Sequence, residues 1–230
     1  MDDLSLCHMV IQDLRLPRTL LAIIGGASLG LTGAVLQGFL RNPLADPGIM
    51  GISSGAAFGA ICCLMTGGGA LSLYGVPLAG IGGAALVAII LVGINRWSSK
   101  NSTHTVLGGI ILNSLFGALT ILMLNLSKNP YAHVEAIFWL LGSLSHHTYG
   151  QILLIIAFTL GGWVILWHCR RALDAFSFGE EVAYTLGFES RKVYKAIILG
   201  LALCIGPGSL VGVIGFIGLV VPHWTVFCGL

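Results

Sequence analysis

Two arginines three residues apart, Arg15 and Arg18, stand in Leu14-Arg15-Leu16-Pro17-Arg18, directly before a long apolar run. On a helix whose start Pro17 fixes, side chains at that spacing project together. Such a pair suits two tasks: receiving acidic side chains of a partner, or anchoring the helix by snorkelling to a membrane interface. A second group is Gln37 to Pro47, Q-G-F-L-R-N-P-L-A-D-P, where two prolines within five residues force a turn. Asn42 and Asp46 can satisfy the backbone groups that this turn frees. The third is Leu173 to Lys192, the longest polar stretch between apolar runs. Within it Glu180 to Leu186 reads as one or two helical turns stopped by Gly187. Val182, Ala183 and Leu186 are expected to share one face, which either lies on lipid or fills a groove on a partner. The fourth is Gly215 to His223, in which His223 follows the helix-breaking Pro222. A packed or interface histidine and a proton relay or metal ligand are both open there, with no second ligand near in sequence.

Catalysis and cofactor chemistry find little to work with. There is no H-E-x-x-H, no G-x-S-x-G and no pair of acidic residues inside the apolar runs. No G-x-x-x-x-G-K-[ST] phosphate loop occurs, so ATP chemistry would need a separate subunit. The cysteines (Cys7, Cys62, Cys63, Cys169, Cys204, Cys228) lack C-x-x-C or Cys/His metal spacing and read as small buried apolar residues. We expect no catalytic residues, no metal and no cofactor.

These motifs must be carried by membrane helices. Hydrophobic residues make up 56% of the 230 and charged residues 9%, with a mean hydropathy of +0.95, whereas a soluble domain carries roughly 25% charged residues. A net charge of +2 with no basic block gives no support to a nucleic-acid reading. Apolar runs at or near spanning length lie at 19–40, 48–66, 73–94, 105–126, 150–168 and 194–212, and a seventh begins near 213. Met1 to Gln12 lacks the basic start and apolar core of a signal peptide. If the first run passes inward, Arg41, Arg96, Lys100, Arg170, Arg171, Arg191, Lys192 and Lys195 lie inside, and only Arg15, Arg18 and Lys128 outside. The positive-inside rule selects that orientation. The near absence of intramembrane charge argues against proton or sodium coupling.

Small residues recur every fourth position, at Gly26, Gly30, Ala34 and Gly38 and again at Gly51, Gly55 and Gly59. That spacing lines one helix face and lets backbones touch within a bundle.

In order and spacing, these motifs resemble the FecCD/BtuC-like permease family of ABC importers for siderophore-bound iron, haem and cobalamin. The resemblance rests on L-R-L-P-R at 14–18, Gly26, Gly33, Gln37, R-N-P-L-A-D-P at 41–47, and Gly51, Gly55 and Ala56. It continues through W-L-L-G-S-L at 139–144, G-E-E-V-A-Y-T-L-G at 179–187 and G-F-I-G-L-V-V-P-H at 215–223. It implies an all-α polytopic transmembrane bundle, with six or seven spans here of a ten-helix permease, as one domain over 1–230. It further implies a cytoplasmic ATPase-coupling segment at 171–192, within which Gly179, Glu180, Glu181, Val182, Ala183, Leu186 and Gly187 dock on the ATPase. Arg15 and Arg18 would receive glutamates of a substrate-binding protein, and Gly108, Gly109 and Asn113 would line the pathway. The implied partners are a second permease subunit (identical or not), two cytoplasmic ATP-binding subunits, a periplasmic or lipid-anchored binding protein and membrane lipid, with no nucleic acid. The implied location is the bacterial inner membrane, and the role is transport by ATP-driven alternating access, not enzymatic.

The family pattern has a further span before L-R-L-P-R, and an arginine three residues after Pro-His; Val226 stands at that position. The expectation is therefore a chain incomplete at both ends. Three other readings stay open: a secondary transporter or channel, an intramembrane enzyme, and a remnant that does not transport.

Overall fold

The computed structural model describes residues 8–66, 74–97, 102–127, 133–134, 136–137, 140–142, 144, 149–208 and 215–227. Among them are nine α-helices and no strand. They are α1 (Leu16–Leu40), α2 (Ile52–Met65), α3 (Gly75–Trp97), α4 (Ser102–Leu126), α5 (Tyr149–His168), α6 (Arg170–Ser177), α7 (Glu180–Thr185), α8 (Ser190–Gly208) and α9 (Ile217–Phe227). A π-helical stretch, Val10–Arg15, runs directly into α1, and a 3₁₀ turn, Pro47–Met50, precedes α2.

Each of the seven apolar runs carries a helix, and among the described residues four stretches are long and apolar enough to cross a membrane: Val10–Leu40, Gly75–Asn95, Val106–Leu126 and Tyr149–His168. The run at 48–66 yields only the 14-residue α2, about 21 Å long at 1.5 Å per residue. Its first residues are spent on the 3₁₀ turn. The helix at 190–208 begins with Arg191, Lys192 and Lys195 in water-compatible first turns before its apolar body.

Contacts fix the direction of each helix. Helices α1 and α5 run parallel: the Tyr149 hydroxyl donates to the Gln12 carbonyl, Leu21 packs with Ile152 and Ile155, and Trp163 Nε1 donates to Ser28 Oγ at 3.2 Å. Helix α8 returns against α5, with Gly162 facing Gly200 and Cys204. Helices α2 and α3 form an antiparallel pair joined where Gly55 and Gly59 meet Gly83. Helix α9 lies antiparallel to α1, Gly218 against Gly33 and Val221 against Gly30. Simple alternation of spans would send α9 inward. It runs instead in the same sense as α8, with its glycine face docked on the half of α1 nearer Arg41.

The core formed by these pairs includes Leu36, Met50, Ile52, Val87, Leu91, Ile197, Ile198 and Leu201, all nearly inaccessible. At the charged end the Phe39 ring meets Phe176 edge-on at 5.7 Å and Tyr194 at 6.1 Å, fastening α6 and the start of α8 to α1. Large apolar side chains such as Ile23, Ile89, Ile111, Ile121 and Leu153 remain exposed along the long helices, as lipid or a partner subunit would allow.

The tightest joint is α1 with α9. A Cβ at Gly33 would sit 1.8 Å from the Gly218 carbonyl oxygen, whereas one at Gly25 would meet nothing within 4 Å. Gly33→Ala should therefore destabilise the folded chain by about 1–3 kcal/mol, and Gly25→Ala should be close to neutral. Denaturation of the two variants in detergent, followed by circular dichroism, checks this; equal stability would contradict the α1–α9 contact.

Candidate translocation cavity and docking faces

The sequence between α1 and α2 builds a compact turn from its own polar groups. Helix α1 stops at Arg41, whose backbone is left-handed (φ 50°). Asn42 Oδ1 then accepts the Leu44 N–H at 3.0 Å, and Asp46 Oδ1 accepts the Gly48 N–H at 2.7 Å, starting the 3₁₀ turn. These are the bonds expected of Asn42 and Asp46. Gly51 closes the turn at φ 74°, where a Cβ would lie 2.9 Å from the Asn113 backbone nitrogen. Only glycine meets both demands. From α1, Gln37 Nε2 reaches the carbonyls of Ala45 at 3.4 Å and Leu219 at 3.3 Å. One side chain thus ties α1, the turn and α9 together.

Beside this junction lies an open cavity of about 620 Å³, bounded by the turn, α1, α2, α4 and the start of α9. Asp46, Ser53, Ser54, Asn113 and Thr120 supply its polar wall, and Phe216 is its aromatic member. Among the described residues no lysine or arginine lines it, and the one carboxylate, Asp46, is engaged with the turn backbone. No cluster of His, Cys, Asp or Glu among the described residues could hold a metal.

Of the three residues expected on the pathway, Asn113 is exposed and lines this cavity. Gly108 and Gly109 do not. Gly109 is buried under the Met50 backbone and Gly108 faces Ile94 and Leu91, so both serve helix packing. The wall residues Ser53, Ser54 and Thr120, and Phe216 at φ 72°, escaped the sequence reading. Isolated hydroxyls in apolar runs give no signal until α2 and α4 are placed side by side.

At the end bearing Arg41, Arg170, Arg171, Arg191, Lys192 and Lys195, α6 and α7 form a short helical hairpin. Glu180 and Glu181 occupy the first turn of α7, where the helix dipole favours negative charge. Its C-terminus is a Schellman closure: the Gly187 N–H bonds the Tyr184 carbonyl at 3.0 Å and the Phe188 N–H bonds that of Ala183 at 2.9 Å. Gly187 at φ 88° is thus the expected helix stop, and Gly179 at φ 123° begins the helix. The expected shared face is divided. Ala183 is fully buried, while Phe178, Tyr184 and Leu186 are 77%, 72% and 61% exposed, with Val182 beside them. Ala183 points inward because α7 packs on α6, which the seven-residue pattern alone did not specify. Nearby, the Lys192 ammonium hydrogen-bonds Glu189 at 2.9 Å, lowering that carboxyl's pKa and raising its own.

Arg15 and Arg18 are exposed at the opposite end. Arg15 closes the π-helical stretch, and its carbonyl accepts the Thr19 hydroxyl at 2.9 Å. The change of helical pitch was invisible in the sequence. His223 is exposed, two residues beyond Val221, which packs on Gly30 near the middle of α1. In the motif at 139–144, Trp139 and Ser143 lie outside the described residues, as do Lys100 and Lys128.

The sequence pattern of the FecCD transport family matches residues 2–228. The chain belongs to the FecCD transport family. It is 35% identical over 215 residues to the hemin transport system permease protein HmuU of Yersinia pestis, covering 92% of this chain and 64% of that one. It is likewise 35% identical over 219 residues to the cobalamin import system permease protein BtuC of Halobacterium salinarum, covering 94% and 58%. A solved chain described as an inward-facing conformation of a metal-chelate type ABC transporter superposes with a TM-score of 0.85 at 31% identity, covering 99% of this chain and 73% of that one. This FecCD chain thus spans 58–64% of the two curated relatives' length and has the fold of an ABC permease.

The cavity makes an accessibility prediction. Asn113→Cys should react with a water-soluble maleimide above the background set by Cys62 and Cys63, while Thr32→Cys, fully buried on α1, should not. Equal labelling of the two would remove the cavity from that face of α4.

Proposed function

We propose that this chain is the membrane-spanning permease part of an ABC-type importer that moves a large chelate (iron-siderophore, haem or cobalamin) across the bacterial inner membrane. The observation that carries the reading is the α6–α7 hairpin. A short helix, closed at its C-terminus by Gly187, that presents Val182, Tyr184 and Leu186 to water at the positively charged end is costly unless a partner covers it. Two cytoplasmic ATPases, one for each of two permease subunits, are that partner. The exposed Arg15 and Arg18 at the other end receive acidic side chains of a substrate-binding protein.

The transport cycle follows from these positions. Closure of the ATPases on ATP moves α7. Movement passes through α6 to the Phe176–Phe39–Tyr194 contacts and so to α1, which carries the cavity wall with it. The described residues of the wall offer hydroxyl, amide and aromatic surface without fixed cations, which suits a bulky chelate that must bind weakly enough to leave. Selection among chelates rests with the binding protein. The relatives' names span hemin and cobalamin.

Leu186→Glu should weaken capture of the ATPase subunit by roughly 30-fold or more, the effect of losing a central apolar anchor, while the purified permease keeps its helicity. Undiminished capture would overturn the coupling role of α7. At the other end, the double variant Arg15→Glu with Arg18→Glu should weaken binding-protein docking in a pull-down, most visibly at low salt. Affinity equal to that of the parent chain would remove both arginines from that interface.

A further inference from the structure

At the charged end of α5, where the coupling hairpin begins, Trp167 and the first two residues of α6 form a second arrangement, set apart from the exposed apolar residues at 178–186 by sequence position only. Trp167 is 63% exposed at the end of the apolar helix Tyr149–His168. Arg170, three residues on, lays its guanidinium over the indole face with its carbon 4.6 Å from the ring centroid. Arg171 is exposed beside it. Among the described residues no carboxylate pairs with either guanidinium, although Asp174 lies one turn further along α6. Cys169, between the tryptophan and the arginines, is buried, and so are Ala172, Ala175 and Phe176. The inner face of α6 is therefore committed to the core, and its two cations are turned away from it.

We infer that Trp167, Arg170 and Arg171 form a binding site for the phosphodiester headgroup of an anionic glycerophospholipid of the inner leaflet. The depth is right: a tryptophan at the end of a spanning helix sits at headgroup level, with its apolar body toward the chains. The chemistry is right as well. Stacking on the indole covers one face of the Arg170 guanidinium and leaves its N–H edge to donate to phosphate oxygens. Arg171 adds a second cation without a carboxylate to compete for it. A zwitterionic lipid brings its own ammonium to the same place and loses that advantage. An ATPase surface is the competing occupant, but the exposed apolar residues that suit protein docking are on α7, whereas this site ends a lipid-facing helix.

The test uses the full chain reconstituted in phosphatidylcholine vesicles carrying brominated phosphatidylglycerol or, at equal bromine content, brominated phosphatidylcholine. The difference in fluorescence between the parent chain and Trp167→Phe isolates the signal of Trp167. Brominated phosphatidylglycerol should quench it more strongly. Arg170→Gln and Arg171→Gln should each reduce the preference, by about fivefold per cation, while Arg171→Lys retains it. Equal quenching by the two lipids overturns the site. Loss of the preference on adding inorganic phosphate would show a free-anion site instead, and overturns the lipid assignment. An unchanged preference in both glutamine variants, together with weakened ATPase capture, would assign the arginines to protein docking.

Discussion

Where Gly33 meets the Gly218 carbonyl, two helix backbones touch with no side chain between them, and the rest of the bundle is arranged around contacts of that kind. Gly55 and Gly59 against Gly83, and Gly162 against Gly200, repeat it. In a bilayer, apolar side chains gain little by leaving lipid, so helices associate through close packing and weak backbone contacts. The 33 glycines, a liability in soluble helices, become the means of holding these pairs together. The same contacts set direction: α9 runs antiparallel to α1, Gly218 on Gly33 and Val221 on Gly30.

Polar groups inside such a bundle must find partners without water. Ser28, Thr32 and Thr120 do so on their own helices, donating to the carbonyls of Ile24, Ser28 and Phe116. Trp163 then uses Ser28 Oγ to bridge α5 to α1. Gln37 is the exception in reach, serving two carbonyls outside its own helix. It stands two residues before Phe39, whose ring packs on α6 and α8. A contiguous set of contacts therefore leads from the exposed hairpin to the cavity wall: α6 to Phe39, along α1 to Gln37, and across to the turn and α9.

The two ends of the molecule differ in how they present themselves. The charged end places short helices with apolar side chains outward, and the other end places two arginines on the approach to α1. Between them the described residues of the cavity wall offer hydroxyls and an amide, with Asp46 engaged by the turn. This division gives each end a surface of different chemistry and keeps the interior permissive.

Composition by itself determined that this is a helical membrane chain, because that depends on amounts of apolar and charged surface rather than on neighbours. Local chemistry was equally legible: the turns at Asn42 and Asp46 and the stop at Gly187 depend on bonds spanning only a few residues. Tertiary structure alone decided what faces what. It turned Ala183 inward, buried Gly108 and Gly109 between helices, and brought Ser53, Ser54, Asn113 and Thr120 to one wall with Phe216 from far along the chain. It also shortened the second run and set the course of α9. Each of these depends on which helix lies opposite, and a sequence of nearly uniform hydrophobicity carries no record of that.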